Sequence, residues 1–156
     1  MSKHTSTINL RFLIQKFIRK FGLLEESCTP CGMPISVSKA HALMELLHSS
    51  GITQNELASR LFLSKSNVSR MLSRLLLQGH IHKIRDKSDG RIFRIRLTEK
   101  GRRLAKAVNC QSHKHFEKLS ERLLPEQRDK IIDALGILIE AVQSPLNSGP
   151  KKAQFK

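Results

Sequence analysis

The stretch that most restricts how this chain can fold is Thr53 to Leu97, where the spacing of apolar residues switches from three-to-four to two. Leu57, Ala58 and Leu61 recur at helical spacing, as do Val68, Met71, Leu72 and Leu75. Thr53-Gln54-Asn55-Glu56 predicts a capping box, in which the Thr hydroxyl accepts from the amide three residues on and Glu56 reaches back. Ser64 suits the cap of a second, longer helix running to about Gln78, with Gly79 as its stop. From Ile81 the period is two: Ile81, Lys83 and Arg85 alternate with His82, Ile84 and Asp86, and alternation resumes from Arg91 to Leu97. Two such segments around Asp89-Gly90 predict a β-hairpin.

Long helical patterns flank this unit. Leu10, Leu13, Ile14, Phe17, Phe21 and Leu24 form an apolar stripe opposite Arg11, Gln15, Lys16, Arg19 and Lys20, which predicts an amphipathic helix over 8–24. The basic, acid-free N-terminus also suits a mitochondrial transit peptide or a membrane-surface helix, but a packing helix needs the same stripe and is preferred. After the breaker-rich turn Ser27 to Pro34, Ser36 or Ser38 can cap a helix with Ala40, Leu43, Leu46 and Leu47 that ends near Gly51. Thr98 caps a third long helix with Leu104, Val108, Phe116, Leu119 and Leu123. Pro125 opens a last one with Ile131, Ile132, Leu135, Leu138, Ile139 and Val142. The expected fold is mainly α with a small β-hairpin wing. It is a winged helix-turn-helix over about 36–98 with helices at about 5–25 and 99–143, all in one domain (1–143), followed by a disordered basic tail (144–156).

Charge narrows the partner. The 156 residues carry a formal net charge of +15. Arg60 to Lys106 alone hold fourteen Lys and Arg against Asp86, Asp89 and Glu99, a net of +11 in under a third of the chain. Such a footprint suits phosphates: nucleic acid first, an anionic membrane surface second. Trp and Tyr are absent, which argues against single-strand binding on aromatic platforms. No apolar run is long enough for a membrane span, so no membrane partner is expected. Three cysteines suit free thiols in a reducing compartment, hence a cytoplasmic location. No P-loop, Rossmann glycine set or nucleophile elbow is present. An oxidoreductase built on Cys28-x-x-Cys31 would lack the usual βαβ setting, so an enzyme is not expected.

The helix pair has the logic of a DNA reader. Ala58 is small where the helices cross, and the start of the second helix carries hydroxyl, amide and guanidinium groups. A plain two-helix hairpin with solvated Ser and Arg is the simpler alternative. The neighbouring hairpin, with Lys87 and Arg91 at its tip and Arg94 and Arg96 on its return strand, argues against it. The run from Leu57-Ala58 through Val68-Ser69-Arg70, Gly79-His80-Ile81, Asp89-Gly90-Arg91 and Leu97-Thr98-Glu99-Lys100-Gly101 resembles the MarR family of transcriptional regulators, over roughly Thr5 to Val142. The resemblance implies a homodimer held by the N-terminal and two C-terminal helices. Each recognition helix would enter a major groove, and each wing would place Arg91 in the flanking minor groove. It also implies that Asp89 orients the wing arginines by ion pairing.

On that reading Ser66, Asn67 and Arg70 contact base edges or adjacent phosphates, Asn suiting adenine and Arg guanine. Lys65, Ser69 and Arg74 grip phosphates, and Lys87, Asp89, Arg91 and Arg94 belong to the wing's contact. The function expected is a sequence-specific regulator of double-stranded DNA, a repressor on a pseudo-palindromic operator. A non-specific architectural binder is the alternative. One departure is Phe62, at the turn position that helix-turn-helix proteins commonly fill with Gly. There, either the turn differs or about 1 kcal/mol of strain is absorbed.

Family members commonly answer to small phenolic ligands, oxidants or metals. Cys28-Thr-Pro-Cys31 has the spacing of a dithiol couple or of two thiolates for Zn²⁺ or another thiophilic metal. Cys110, His113 and Glu117 share a helix face, and His41 sits where some zinc-sensing members carry a ligand. The pair of histidines four apart that such sites use is not repeated, since Lys114 and His115 follow His113. The plainer readings are a small buried Cys, a core His41 and a Cys110 packed between helices.

Overall fold

Local chemistry sets most of the element boundaries. A computed structural model describes residues 3–49 and 51–143; the expected basic tail lies outside them. The elements run α1 (Lys3–Phe21), α2 (Val37–His48), β1 (Ile52–Thr53), α3 (Gln54–Leu61), α4 (Lys65–Leu77), β2 (Ile81–Arg85), β3 (Phe93–Leu97), α5 (Glu99–Glu121) and α6 (Pro125–Gln143). The chain divides into two compact units within α5, between His115 and Phe116.

In the first unit the α3 capping box is complete: Glu56 N donates to Thr53 Oγ1 at 3.2 Å and Thr53 N to Glu56 Oε2 at 2.6 Å. That amide holds the Glu56 carboxyl below the usual carboxylate range. Ser64 caps α4 by accepting from Asn67 N at 3.3 Å. Ser36 stands at the N-cap of α2 but makes no capping bond; its hydroxyl lies 3.4 Å from that of Ser38. Gly79 stops α4 at φ +70 and Gly22 follows α1 at φ +79, where a Cβ would be strained.

Between α3 and α4, Phe62 takes the left-handed conformation (φ 52, ψ 37), and the residue is 80% exposed. The turn therefore keeps its usual geometry and absorbs the strain of a Cβ at positive φ, about 1–2 kcal/mol. Its amide closes α3 by donating to Ser59 O at 3.2 Å.

The wing has three strands rather than two. The sheet order is β1-β3-β2, all antiparallel. The unforeseen β1 sets Ile52 opposite Ile95 and Thr53 opposite Arg94, tying the wing to the start of α3. Leu43, Leu46, Leu57, Val68, Leu72, Leu75, Ile81, Ile95 and Ala105 make one buried core, so α2, α3, α4, the sheet and the start of α5 share it. The α5 junction is tight. Thr98 Oγ1 accepts from Gly101 N at 3.0 Å and donates to Gly79 O at 2.7 Å, while His80 O receives the Thr98 amide.

The second unit holds the end of α5 and α6. Leu124 N donates to Gln127 Oε1 at 2.9 Å, and Arg128 Nη1 reaches Ser120 Oγ at 3.2 Å. Ile131, Ile132, Leu135, Ile139 and Val142 are exposed in the single chain, as are Leu10, Leu13 and Phe17 on α1.

Candidate nucleic-acid interface

α4 is an amphipathic helix whose buried side anchors its outward one. Val68, Met71, Leu72 and Leu75 are buried at helical spacing, leaving Lys65, Ser66, Asn67, Ser69, Arg70 and Arg74 exposed. The helix contains no acid. Ser66 Oγ lies 3.1 Å from Ser64 Oγ, and Arg70 Nη2 donates to Asn67 Oδ1 at 2.5 Å. A cleft beside the helix is lined by Asn67, Arg70 and Arg74 together with Ser36, Ser38 and Lys39 from the start of α2. Those last three were not among the residues expected from sequence. The available signal was the serine at the N-cap position of α2, which marks a helix N-terminus and its free amides.

The wing loop is built on two carboxylates with separate tasks. Asp86 Oδ1 accepts from Ser88 N at 2.8 Å and Asp89 N at 3.2 Å, and Asp86 Oδ2 pairs with Arg94 Nε. Arg94 Nη1 donates to Gly51 O at 2.9 Å. Asp89 Oδ1 takes the Arg91 backbone amide at 2.9 Å. The ion pair expected of Asp89 is therefore made by Asp86, because the loop closes as Asp86 N to Ile92 O and Ile92 N to Asp89 O, which points Asp89 into its own turn. Arg94, expected among the DNA-facing groups, has its guanidinium turned to Asp86 and Gly51, joining the wing to the lobe. Lys87 and Arg91 remain exposed, and among the described residues no carboxylate pairs with them or with Lys65, Arg70 or Arg74.

The Arg94 guanidinium, helped by the Ser88 and Asp89 amides, lowers the Asp86 pKa from 3.8 to about 2, and Asp86 in turn raises that of Arg94. A carboxyl with a depressed folded pKa contributes stability above its unfolded value and loses it as pH falls through the folded one. Asp86 should accordingly support the wing fully above pH about 4 and release it as pH falls towards 2. A carbon-detected NMR titration is expected to place the Asp86 midpoint near 2; a midpoint near 3.8 would contradict the wing geometry. At the α4–β2 turn, burial and then Lys100 and Lys39 push the His80 imidazole below the usual histidine range.

The sulfur-bearing turn is ordered by its own hydrogen bonds. Thr29 N donates to Met33 O, Gly32 N to Thr29 O, and Met33 N to Thr29 Oγ1. Thr29 Oγ1 lies 3.0 Å from Cys31 Sγ, and Gln111 of α5 donates to Cys31 O at 3.1 Å. Cys28 and Cys31 are half-buried free thiols. His41, Cys110 and His113 are exposed, so neither the core reading of His41 nor the packed reading of Cys110 holds in the chain. Among the described residues, no three His, Cys, Asp or Glu side chains gather as metal ligands. No described helix is long and apolar enough to cross a membrane.

A three-helix core whose third helix carries a cationic, exposed face, together with a three-stranded wing, defines a winged helix-turn-helix protein. Residues 32–92 match the profile described as the MarR family. The HTH-type transcriptional regulator TtmR of Methylorubrum extorquens (strain PA1) is 38% identical over 71 residues, 46% of this chain and 36% of TtmR. The chain thus spans about a third of TtmR's length. The uncharacterized HTH-type transcriptional regulator YdgJ of Bacillus subtilis (strain 168) is 27% identical over 124 residues, 80% of this chain and 73% of YdgJ. The crystal structure of the S. aureus MepR-DNA complex shares the fold with a TM-score of 0.64 at 22% identity, covering 90% of this chain and 96% of MepR. Residues 32–92 are thus similar to the MarR family of transcriptional regulators, and the chain shares the winged helix-turn-helix fold of MepR.

Proposed function

We infer that this protein is a sequence-specific regulator of double-stranded DNA, acting as a repressor on a pseudo-palindromic operator. The observation that carries the reading is the acid-free face of α4, flanked by a wing whose Lys87 and Arg91 meet no carboxylate among the described residues. α4 enters the major groove, where Ser66, Asn67 and Arg70 meet base edges while Lys65, Ser69 and Arg74 meet phosphates. The wing delivers Arg91 to the minor groove, where narrow A·T tracts carry enhanced negative potential. The apolar positions of α1 and α6 left exposed in the single chain support a homodimer, whose two-fold symmetry sets half-sites about one helical turn apart. The DNA complex formed by MepR supports the same reading by likeness of fold.

Release by an effector completes the proposal. The free thiols of Cys28 and Cys31 sit on a turn that Gln111 ties to α5, so thiol oxidation or a thiophilic metal at that turn would act on the helix leading out of the wing. Thiol loss in Cys28→Ala should abolish any response to peroxide or Zn²⁺. An organic anion acting elsewhere is the alternative effector.

The test is a gel-shift titration at low salt with competing random DNA. Specific binding should survive competition by a factor of about a thousand. Arg91→Ala should weaken A·T-flanked operators by about tenfold or more, and unchanged affinity would remove the wing from the interface. Equal competition by random DNA would favour the architectural alternative.

A further inference from the structure

We propose that the cleft between the start of α2 and α4 is a phosphate-binding site, in which Lys39 and Arg74 grip one phosphate group from opposite walls. Two sources share that chemistry, a phosphodiester of the operator backbone and free phosphate. For the first source the proposal rests on the duplex-DNA reading above and makes α2 a third element at the DNA, beside α4 and the wing.

The two walls come from separate, well-anchored helices. Ala40, Ala42 and Leu43 are buried on α2, as are Met71, Leu72 and Leu75 on α4, so both backbones are fixed by the core. Lys39 enters from α2, half-buried beside the buried Ala40. Arg70 and Arg74 enter from α4, one turn apart. The space between encloses about 260 Å³, ample for a phosphate group.

Among the described residues no acid lines this cleft. Glu45, the one carboxylate of α2, meets Arg60 at 3.4 Å instead, and α4 carries none. Lys39, Arg70 and Arg74 keep their charge at neutral pH, so three cations share one recess. Their mutual repulsion, and the focusing of field lines in a recess of one sign, both favour an incoming anion. A neighbour feels the excess: after burial, Lys100 and Lys39 push the His80 imidazole below the usual histidine range. The donors suit a tetrahedral anion. Arg74 offers a planar fork of N–H groups and Lys39 three donors about a point, while Ser36 and Ser38 bring hydroxyls to the rim. Donors arriving from two helices match the splayed oxygens of a phosphate better than the coplanar pair of a carboxylate.

A scan of single neutral methylphosphonates along an operator selected from random duplexes tests the first source. In the wild-type chain one position per half-site should cost about tenfold in affinity, the scale of a charge-assisted hydrogen bond. In Lys39→Gln, and equally in Arg74→Gln, the same modification should cost less than about twofold, because one grip on that phosphate is already lost. Lys39→Gln should also lower the magnitude of the salt slope on random duplexes by about 1, and Lys39→Arg should retain it. The second source is tested without DNA, by titrating inorganic phosphate against chloride at equal ionic strength. Saturable, phosphate-specific NMR shifts of the Lys39 and Arg74 side chains, with no coupled position in the scan, assign the site to free phosphate. Neither a coupled position nor such shifts overturns the proposal and leaves the regulator reading intact. Absence of any selected operator overturns that reading instead, and the inorganic-phosphate titration then decides the cleft by itself.

Discussion

Gly101→Ala is expected to lower the melting temperature by about 10 °C, corresponding to roughly 3 kcal/mol of overpacking in a domain of this size. A Cβ at Gly101 would lie 1.8 Å from the His80 carbonyl oxygen and 2.8 Å from its carbon. Both are backbone atoms, so no side-chain rotation relieves the contact. The helix start would have to lift from the α4–β2 turn. Thr98 Oγ1 to Gly79 O at 2.7 Å and Lys100 Nζ to Gln78 O at 2.9 Å would be strained with it. Because that turn joins α4 to β2, the displacement should reach both elements proposed to face DNA, and operator affinity should fall with stability. Thermal unfolding followed by circular dichroism measures the first effect. An unchanged midpoint would mean that α5 does not seat on the turn as described.

The second large effect is electrostatic. Lys65 opens α4 and Arg74 lies in its last turns; both are exposed and neither meets a carboxylate among the described residues. Each phosphate contact contributes nearly one unit to the slope of log affinity against log salt. A Lys65→Ala/Arg74→Ala double variant should reduce the magnitude of that slope by about 2. It should weaken specific and random duplexes alike, because phosphates carry no base identity. Arg70→Ala should behave differently, since its loss falls on base preference. Fluorescence anisotropy across a salt series separates the two. An unchanged slope in the double variant would place α4 away from the phosphate backbone.

The features legible in the sequence are those decided within a few residues. The Thr53–Glu56 box, the Ser64 cap and the Gly79 stop each depend on atoms at most four positions apart, so side-chain chemistry and spacing suffice to locate them. The same holds for the two apolar periods that locate α4 and the wing. Phe62 was recognised as a misfit at its turn, and it was the observed φ of 52 that settled which of two outcomes the chain took.

What the tertiary structure decided depends on registration between distant segments. β1 is two residues long and carries no period of its own; it exists because Ile52 and Thr53 meet Ile95 and Arg94 some forty residues on. The choice between Asp86 and Asp89 as partner of Arg94 turned on how the intervening loop closes across paired strands, which charge and spacing leave open. The dithiol turn is visible as Cys28-x-x-Cys31, but whether His41, Cys110 and His113 stand near it is a matter of helix packing, and among the described residues no three such ligands gather. The winged helix-turn-helix and its cationic face are therefore legible from sequence alone, because helical caps and hydrophobic periods are local. Which charges meet no carboxylate among the described residues depends on pairing across a sheet, whose long-range register no local pattern encodes.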